Sequence, residues 1–140
     1  MKSISLFIYF ILSFSFSVLA QFNPFGNASQ ISDTCFRLTE KLSNQTGSAW
    51  YEEQISLLKP FTISTSIYLG NDDTGADGIA MVFQPVINAS GNDGSGLGYQ
   101  GLAPSLALEF DTYRNGGSGD PDFDHIGLQL GGSTDHGSEA

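Results

Sequence analysis

The sequence predicts an all-β protein built as an antiparallel β-sandwich, and three observations carry that expectation. After residue 20 the apolar residues never recur at i, i+3, i+4 and i+7 for long enough to cover one face of a helix. Short runs instead read as strands, either by alternation or by unbroken apolar character. The segments between them are dense in Gly, Asn, Asp and Ser, which tolerate positive φ and close tight turns. Short strands parted by such loops, with no helices to cover a parallel sheet, specify a sandwich.

Taken in order, residues 35–39 are a short alternating run and residues 49–55 include Trp50 and Tyr51. In residues 61–69, Phe61, Ile63, Thr65, Ile67 and Leu69 share one face, with Thr62, Ser64, Ser66 and Tyr68 on the other. Residues 78–83 are continuously apolar, as in a strand covered on both faces. Residues 106–110 and 126–130 are two further strands, and turns fall at 70–75, 88–98 and 115–122.

Residues 1–20 stand apart. Met1 and Lys2 begin them with a positive charge, an apolar run extends from Ile4 to Val18, and Val18-Leu19-Ala20 offers a small-residue cleavage site before Gln21. That is the anatomy of a secretory signal peptide. A membrane anchor is the competing reading, since about 18 apolar residues can span a bilayer. Ser13, Ser15 and Ser17 interrupt the run, however, and no basic flank follows it. The mature chain is therefore expected to start near Gln21, to be secreted or held at the cell surface, and to carry no membrane span. Sandwiches commonly run to about 200–250 residues, so residues 21–140 are expected to be the N-terminal part of one domain, incomplete at its C-terminus.

Charge excludes some partners. The chain has 15 acidic against 5 basic residues, a net charge of −10. Nucleic acid and anionic membrane would both be repelled. Six of the acids lie between Glu109 and Asp135, and clustered carboxylates are what hard cations need. Cys35 is the only cysteine, so no internal disulfide exists and stability must come from packing, metal or both. Its neighbours Phe36 and Leu38 predict a buried small hydrophobe rather than a nucleophile. Asn27, Asn44 and Asn88 open Asn-x-Ser/Thr sequons.

The chemistry concentrates between Glu109 and His125. In a strand, residues two apart share a face, so Glu109, Asp111 and Tyr113 are expected to point together while Leu108 and Phe110 enter the opposite layer. Two carboxylates side by side repel unless something positive lies between them. The following loop adds Asn115 and Asp120, and the next strand begins at His125. Asp111, Asn115, Asp120 and a backbone carbonyl make an all-oxygen set suited to Ca²⁺. Glu109, Asp111, Asp120 and His125 add an imidazole, which favours a transition metal such as Mn²⁺.

This segment resembles the metal-binding region of the L-type, or legume-type, lectins of the concanavalin A-like superfamily. Glu109-Phe110-Asp111-Thr112-Tyr113-Arg114-Asn115, Asp120-Pro121 and His125-Ile126-Gly127 carry the likeness. Further elements follow the family order: Gly47-Ser48-Ala49-Trp50-Tyr51, Phe61-Thr62-Ile63-Ser64-Thr65-Ser66, Ala76-Asp77-Gly78-Ile79-Ala80 and Gly98-Tyr99-Gln100-Gly101-Leu102. The resemblance implies a concanavalin A-like jelly roll that binds glycans or monosaccharides. It implies that Glu109, Asp111, Asp120 and His125 hold the transition metal, Mn²⁺ or another, and that Asp111, Asn115, Asp120 and the Tyr113 carbonyl hold Ca²⁺. Asp77 would accept hydrogen bonds from two sugar hydroxyls, Asn115 would donate one from its amide, and Gly98 one from its backbone N–H. Tyr113 would cover the sugar's apolar face. A cis peptide between Ala76 and Asp77 is implied as well. The loop that tunes sugar preference in the family lies beyond Ala140.

A glycoside hydrolase on a similar sandwich is the rival class. It needs two carboxyl groups flanking the scissile bond, and Glu109 and Asp111 fit the first two positions of a Glu-x-Asp-x-x-Glu strand. Arg114 stands where the second Glu should be, which favours binding over hydrolysis. A structural adhesin module without a working sugar site is the third class, and Asp77 with Asn115 argues against it. Open sheet edges offer a route to a homo-oligomer. An exported bacterial adhesin or glycan-capture protein is compatible with these features.

Overall fold

The computed structural model describes residues 22–137. The expected signal peptide, residues 1–20, lies outside the described residues. Every strand pairing is antiparallel. Strand β1 (Phe22–Gly26) pairs with β4 (Gly47–Tyr51), and β2 (Ser29–Ser32) forms a hairpin with β3 (Cys35–Arg37). A three-stranded sheet places β6 (Leu106–Asp111) between β5 (Gly78–Phe83) and β7 (His125–Leu130). Among the described residues the one helical element is a 3₁₀ turn at Gly94–Gly96. This is the all-β, antiparallel architecture expected of the lectin sandwich.

The register of the three-stranded sheet separates two kinds of surface. Ile79, Phe110 and Ile126 lie side by side, as do Met81, Leu108 and Leu128, and Phe83, Leu106 and Leu130. Those nine apolar side chains form one face. Because side chains alternate along a strand, the other face carries Gly78, Ala80 and Val82, then Ala107, Glu109 and Asp111, then His125, Gly127 and Gln129. The polar face is the better shielded. On β6 the buried residues are Ala107, Glu109 and Asp111, whereas Leu106, Leu108 and Phe110 are half-buried. On β7, Ile126, Leu128 and Leu130 are 66%, 69% and 56% exposed.

The polar face is covered by chain rather than by another strand. Residues 131–136 run beneath the loop 98–102, and Gly101 N–H donates to Gly132 O at 2.8 Å. The Tyr99 hydroxyl donates to Ser133 O at 2.7 Å, and the Gln100 amide to the Thr134 hydroxyl at 2.8 Å. Tyr99 is 1% exposed and stands with Ala107 as the fully shielded apolar packing of the described residues.

Several expectations need correction. Residues 61–69 carry no strand ladder. Phe61, Ile63 and Leu69 are 46%, 45% and 47% exposed, so the alternating row is only partly covered. The Phe61 ring lies tilted at 53° with its centroid 6.0 Å from that of Phe83, and Leu69 shares a cleft with Phe110 and Ile126, so the segment meets the apolar face through side chains. A strand requires ladder hydrogen bonds as well as a face to bury. The strand expected at 49–55 is β4, shifted to Gly47–Tyr51, and the run expected at 35–39 stops at Arg37. β1 and β2 went unpredicted because Pro24 and Gly26 punctuate the first and Ser29-Gln30-Ile31-Ser32 has a single apolar residue. Pro24 is tolerated because β1 has a neighbour on one side only. Cys35 is exposed, not buried. It sits opposite Ser32 where the β2–β3 register breaks, while its neighbour Phe36 turns inward to meet Phe22 at 5.5 Å.

Candidate metal and sugar site

Glu109 and Asp111 do share a face, and it is buried: they are 0% and 5% exposed. Asp111 lies opposite His125 on β7, and Glu109 lies opposite Gly127. A Cβ on Gly127 would stand 2.6 Å from Glu109 Oε2 and 3.0 Å from His136 Cε1, so a side chain there would occupy the room the carboxylate uses. Tyr113 does not continue the alternation. β6 ends at Asp111, whose Oδ1 accepts the Tyr113 N–H at 2.8 Å. This Asx-type turn ends the strand and leaves the Tyr113 ring 49% exposed.

The loop from 112 to 124 brings Asp120 back under the sheet edge. Asp120 Oδ2 accepts the Asn115 N–H at 2.6 Å, which leaves Oδ1 turned toward the histidines. Asp111, Asp120, His125 and His136 each present a ligand atom, all within 4.8 Å of one another. His136 was not singled out in the sequence. It arrives from the segment after β7, held by its N–H donating to Ser118 O at 2.8 Å. Its Nε2 lies 3.2 Å from His125 Nε2, 3.3 Å from Glu109 Oε2 and 3.6 Å from Asp120 Oδ1. The available signal was that the chain has only 2 histidines; nothing in local spacing ties the second to the first.

Among the described residues no Lys or Arg forms an ion pair with this cluster; its cationic contacts come from His136 when that ring is protonated. Arg114, the nearest in sequence, bonds to Asp122 at 2.9 Å and points away. Burial raises the Asp111 carboxyl pKa; the Tyr113 N–H opposes that rise, the neighbouring Asp120 charge adds to it, and His125 and His136 oppose it again. Tyr99 Oη also lies 2.5 Å from Glu109 Oε1, so its single proton is shared between that carboxylate and Ser133 O, and its phenol is pushed well above its usual value, first by burial and then by that carboxylate. Glu109 Oε2 is left buried without a hydrogen-bond partner.

Beside this cluster lies a second group. The peptide between Ala76 and Asp77 is cis, in agreement with the resemblance. Asp77 O accepts the Thr112 N–H at 3.0 Å, which pins Asp77 against the end of β6. The Asn115 amide donates to Asp77 Oδ1 at 3.4 Å, and Asn115 Oδ1 is buried without a partner. Gly98 was expected to donate its N–H to a sugar hydroxyl. Its N–H is engaged internally, donating to Asn92 O at 2.9 Å. The loop glycine facing Asp77 is Gly94, where a Cβ would sit 3.8 Å from Asp77 Oδ2.

The described residues thus form an antiparallel β fold with a buried carboxylate–imidazole cluster beside an Asp–Asn pair, the class of arrangement a lectin-type domain presents. Residues 15–139 match the legume lectin beta-barrel domain, and the chain belongs to the L-type lectin family. Domains of this family bind carbohydrate and metal ions in general, and in general they are not enzymes. The chain is similar to the pesticidal crystal protein Cry22Aa of Bacillus thuringiensis, with 34% identity over 96 residues. That alignment covers 67% of this chain and 13% of the toxin. It is also similar to the serine-rich adhesin for platelets of Staphylococcus aureus strain MRSA252, with 32% identity over 64% of this chain and 7% of the adhesin. In strain MSSA476 the same adhesin matches at 32% identity over 4% of its length. The chain thus spans a small fraction of these relatives. Among the described residues, no helix is long and apolar enough to cross a membrane.

Proposed function

We propose that this domain binds glycans in a calcium-dependent manner at a shallow site formed by Asp77, Asn115 and Tyr113, with Gly98 and the neighbouring Gly94 lining it. The observation that carries the reading is the divided side chain of Asn115. Its amide N–H₂ faces Asp77 at 3.4 Å, and its Oδ1 is buried with no partner. A buried amide oxygen left unbonded costs about 1–3 kcal/mol, and a cation removes that cost. Asn115 can thereby ligate on one side and donate to a hydroxyl on the other.

The residues present fit two metal positions. Asp111, Asn115, Asp120 and the Tyr113 carbonyl would hold Ca²⁺, an all-oxygen set. Glu109, Asp111, Asp120 and His125 would hold Mn²⁺ or another transition metal. Bound there, the ions would neutralise the buried carboxylates and fix the loop. Asp77 accepts hydrogen bonds from paired hydroxyls with charge-assisted strength. Asn115 donates beside it, and the exposed Tyr113 ring covers a C–H face.

Hydrolysis is the weaker reading, because Arg114 is committed to Asp122 and no second carboxyl follows Asp111 on the strand. The adhesin relatives support export to the cell surface, and with it the secretory role of residues 1–20. The test is calorimetric titration of the full chain with a panel of monosaccharides before and after EDTA. Binding lost on chelation and regained with Ca²⁺ is expected. Binding that survives chelation, or hydrolysis of a β-glucan that survives Glu109→Gln, would overturn the reading.

A further inference from the structure

We propose that His136 is itself a ligand of the transition-metal position, so that this chain holds a two-imidazole centre made by Glu109, Asp111, Asp120, His125 and His136. The centre then selects zinc, copper or another late first-row ion over manganese. The inference rests on reading the Glu109–His125 region as a metal centre, and goes beyond it by adding a ligand and changing the ion.

Four observations converge. The two Nε2 atoms face each other at 3.2 Å, and His136 Nε2 lies 3.3 Å from Glu109 Oε2 and 3.6 Å from Asp120 Oδ1. Donors about 2.0–2.1 Å from one ion stand roughly 2.8–3.0 Å apart along the edges of an octahedral shell and roughly 3.3–3.4 Å apart in a tetrahedral one. The 3.3 Å separation falls on the tetrahedral edge, the 3.2 Å one lies between the two, and the 3.6 Å one is slightly longer. Second, Glu109 is fully buried and its Oε2, aimed at His136, has no hydrogen-bond partner. Its other oxygen is held by Tyr99, which fixes the direction of the free one.

Third, each imidazole has its far nitrogen occupied. His125 Nδ1 lies 3.4 Å from Phe123 O, which can accept its proton. His136 Nδ1 lies 3.3 Å from the Gln129 side-chain amide. The oxygen and nitrogen of an amide exchange by a half-turn, and with the oxygen inward Gln129 accepts from Nδ1. Both Nε2 lone pairs are then free to ligate, the arrangement that outer-shell acceptors impose on metal-bound histidine. Fourth, Gly127 leaves room for both the Glu109 carboxylate and the His136 ring.

Two neutral imidazoles change the selectivity. Carboxylate oxygens alone suit magnesium, calcium and manganese, whereas imidazole suits zinc, copper and nickel. The alternative role for His136 is a protonated counter-ion bonded to Glu109, in which case it would not ligate.

Electron paramagnetic resonance of the purified full chain loaded with one equivalent of Cu²⁺ decides between them without any substitution. Because the chain has 2 histidines, coupling to two imidazole nitrogens is expected, and His136→Gln reduces it to one. Calorimetric titration with Zn²⁺ is expected to show affinity about 10–100-fold lower in His136→Gln, in the range of lost metal-site partners, with Mn²⁺ affinity changed less. Coupling to a single nitrogen in the unsubstituted chain, or equal Zn²⁺ affinity in the variant, would overturn the proposal. Monosaccharide titration in Ca²⁺ is run alongside. A two-nitrogen signal without sugar binding supports the His136 centre and sinks the lectin site alone; sugar binding with a one-nitrogen signal does the reverse.

Discussion

Replacing Gly127 by alanine places a methyl group where the Glu109 carboxylate and the His136 ring meet. The added Cβ would lie 2.6 Å from Glu109 Oε2 and 3.0 Å from His136 Cε1, the first closer than real Cβ contacts allow. Gly127 sits within β7 in a backbone conformation that alanine adopts freely, so no backbone strain is introduced. A strand alanine regains about 0.5–1 kcal/mol of chain entropy, against about 1–3 kcal/mol for crowding a packed site. The metal-free variant should therefore be destabilised by only about 1 kcal/mol. Metal affinity should suffer more, because Glu109 cannot yield without breaking its bond to Tyr99. A fall of about 10–100-fold is expected, the usual cost of disturbing a ligand's support. Urea unfolding of the apo protein and calorimetric titration with Zn²⁺ measure the two effects. Gly117→Ala is the control, since a Cβ at that position meets nothing within 4 Å. Zn²⁺ affinity in Gly127→Ala within a factor of about two of the unsubstituted chain would refute the geometry, for shifts in metal-site support are larger than that.

Asp77→Asn should reduce monosaccharide affinity by at least about 100-fold, since two charge-assisted bonds at about 1.5–3 kcal/mol each are lost; metal titration should be unchanged, and a parallel loss of metal would refute the separation of the two sites. Tyr99→Phe leaves Glu109 Oε1 and Ser133 O without their buried donor, at a cost of about 1–3 kcal/mol in urea unfolding. A variant as stable as the parent would contradict the role of Tyr99 beneath the loop. Cys35 should react stoichiometrically with a thiol reagent in the native protein, because it is exposed; reaction only after denaturant would contradict its placement beside Ser32.

The site was legible where function depends on strand alternation and on residue type. Glu109 and Asp111 could be placed on one face from spacing alone, and the loop carboxylate Asp120 and His125 followed from their order. Asp77 was a different matter: as a residue after Gly75 it reads as a turn, and only the family resemblance gave it a role. His136 was invisible because its place depends on the long-range fold. The chain must pass under Tyr99 and bond to Ser118 before that ring meets His125, and no periodicity encodes such a path. The hydrogen bonding of Gly98 was invisible for a related reason. A glycine's N–H is free or engaged according to the turn it closes, and here Asn92 takes it. The alternation at 61–69 signalled a strand, yet the row is largely exposed and has no ladder, because pattern reports faces, not partners.

The pairing of β6 with β5 and β7 gives metal binding a further meaning. Side-chain direction has a period of two, so a slip of one residue in β6 would turn Glu109 and Asp111 onto the apolar rows and Leu108 and Phe110 onto the polar face. Hydrophobic packing penalises that error by lost area. A bound ion would penalise it more sharply, because its proposed ligands come from β6, from the following loop and from β7, and a slipped strand would not present them together. Ion capture would thus act as a proofreading step on strand register, accepting the alignment in which every donor arrives at once.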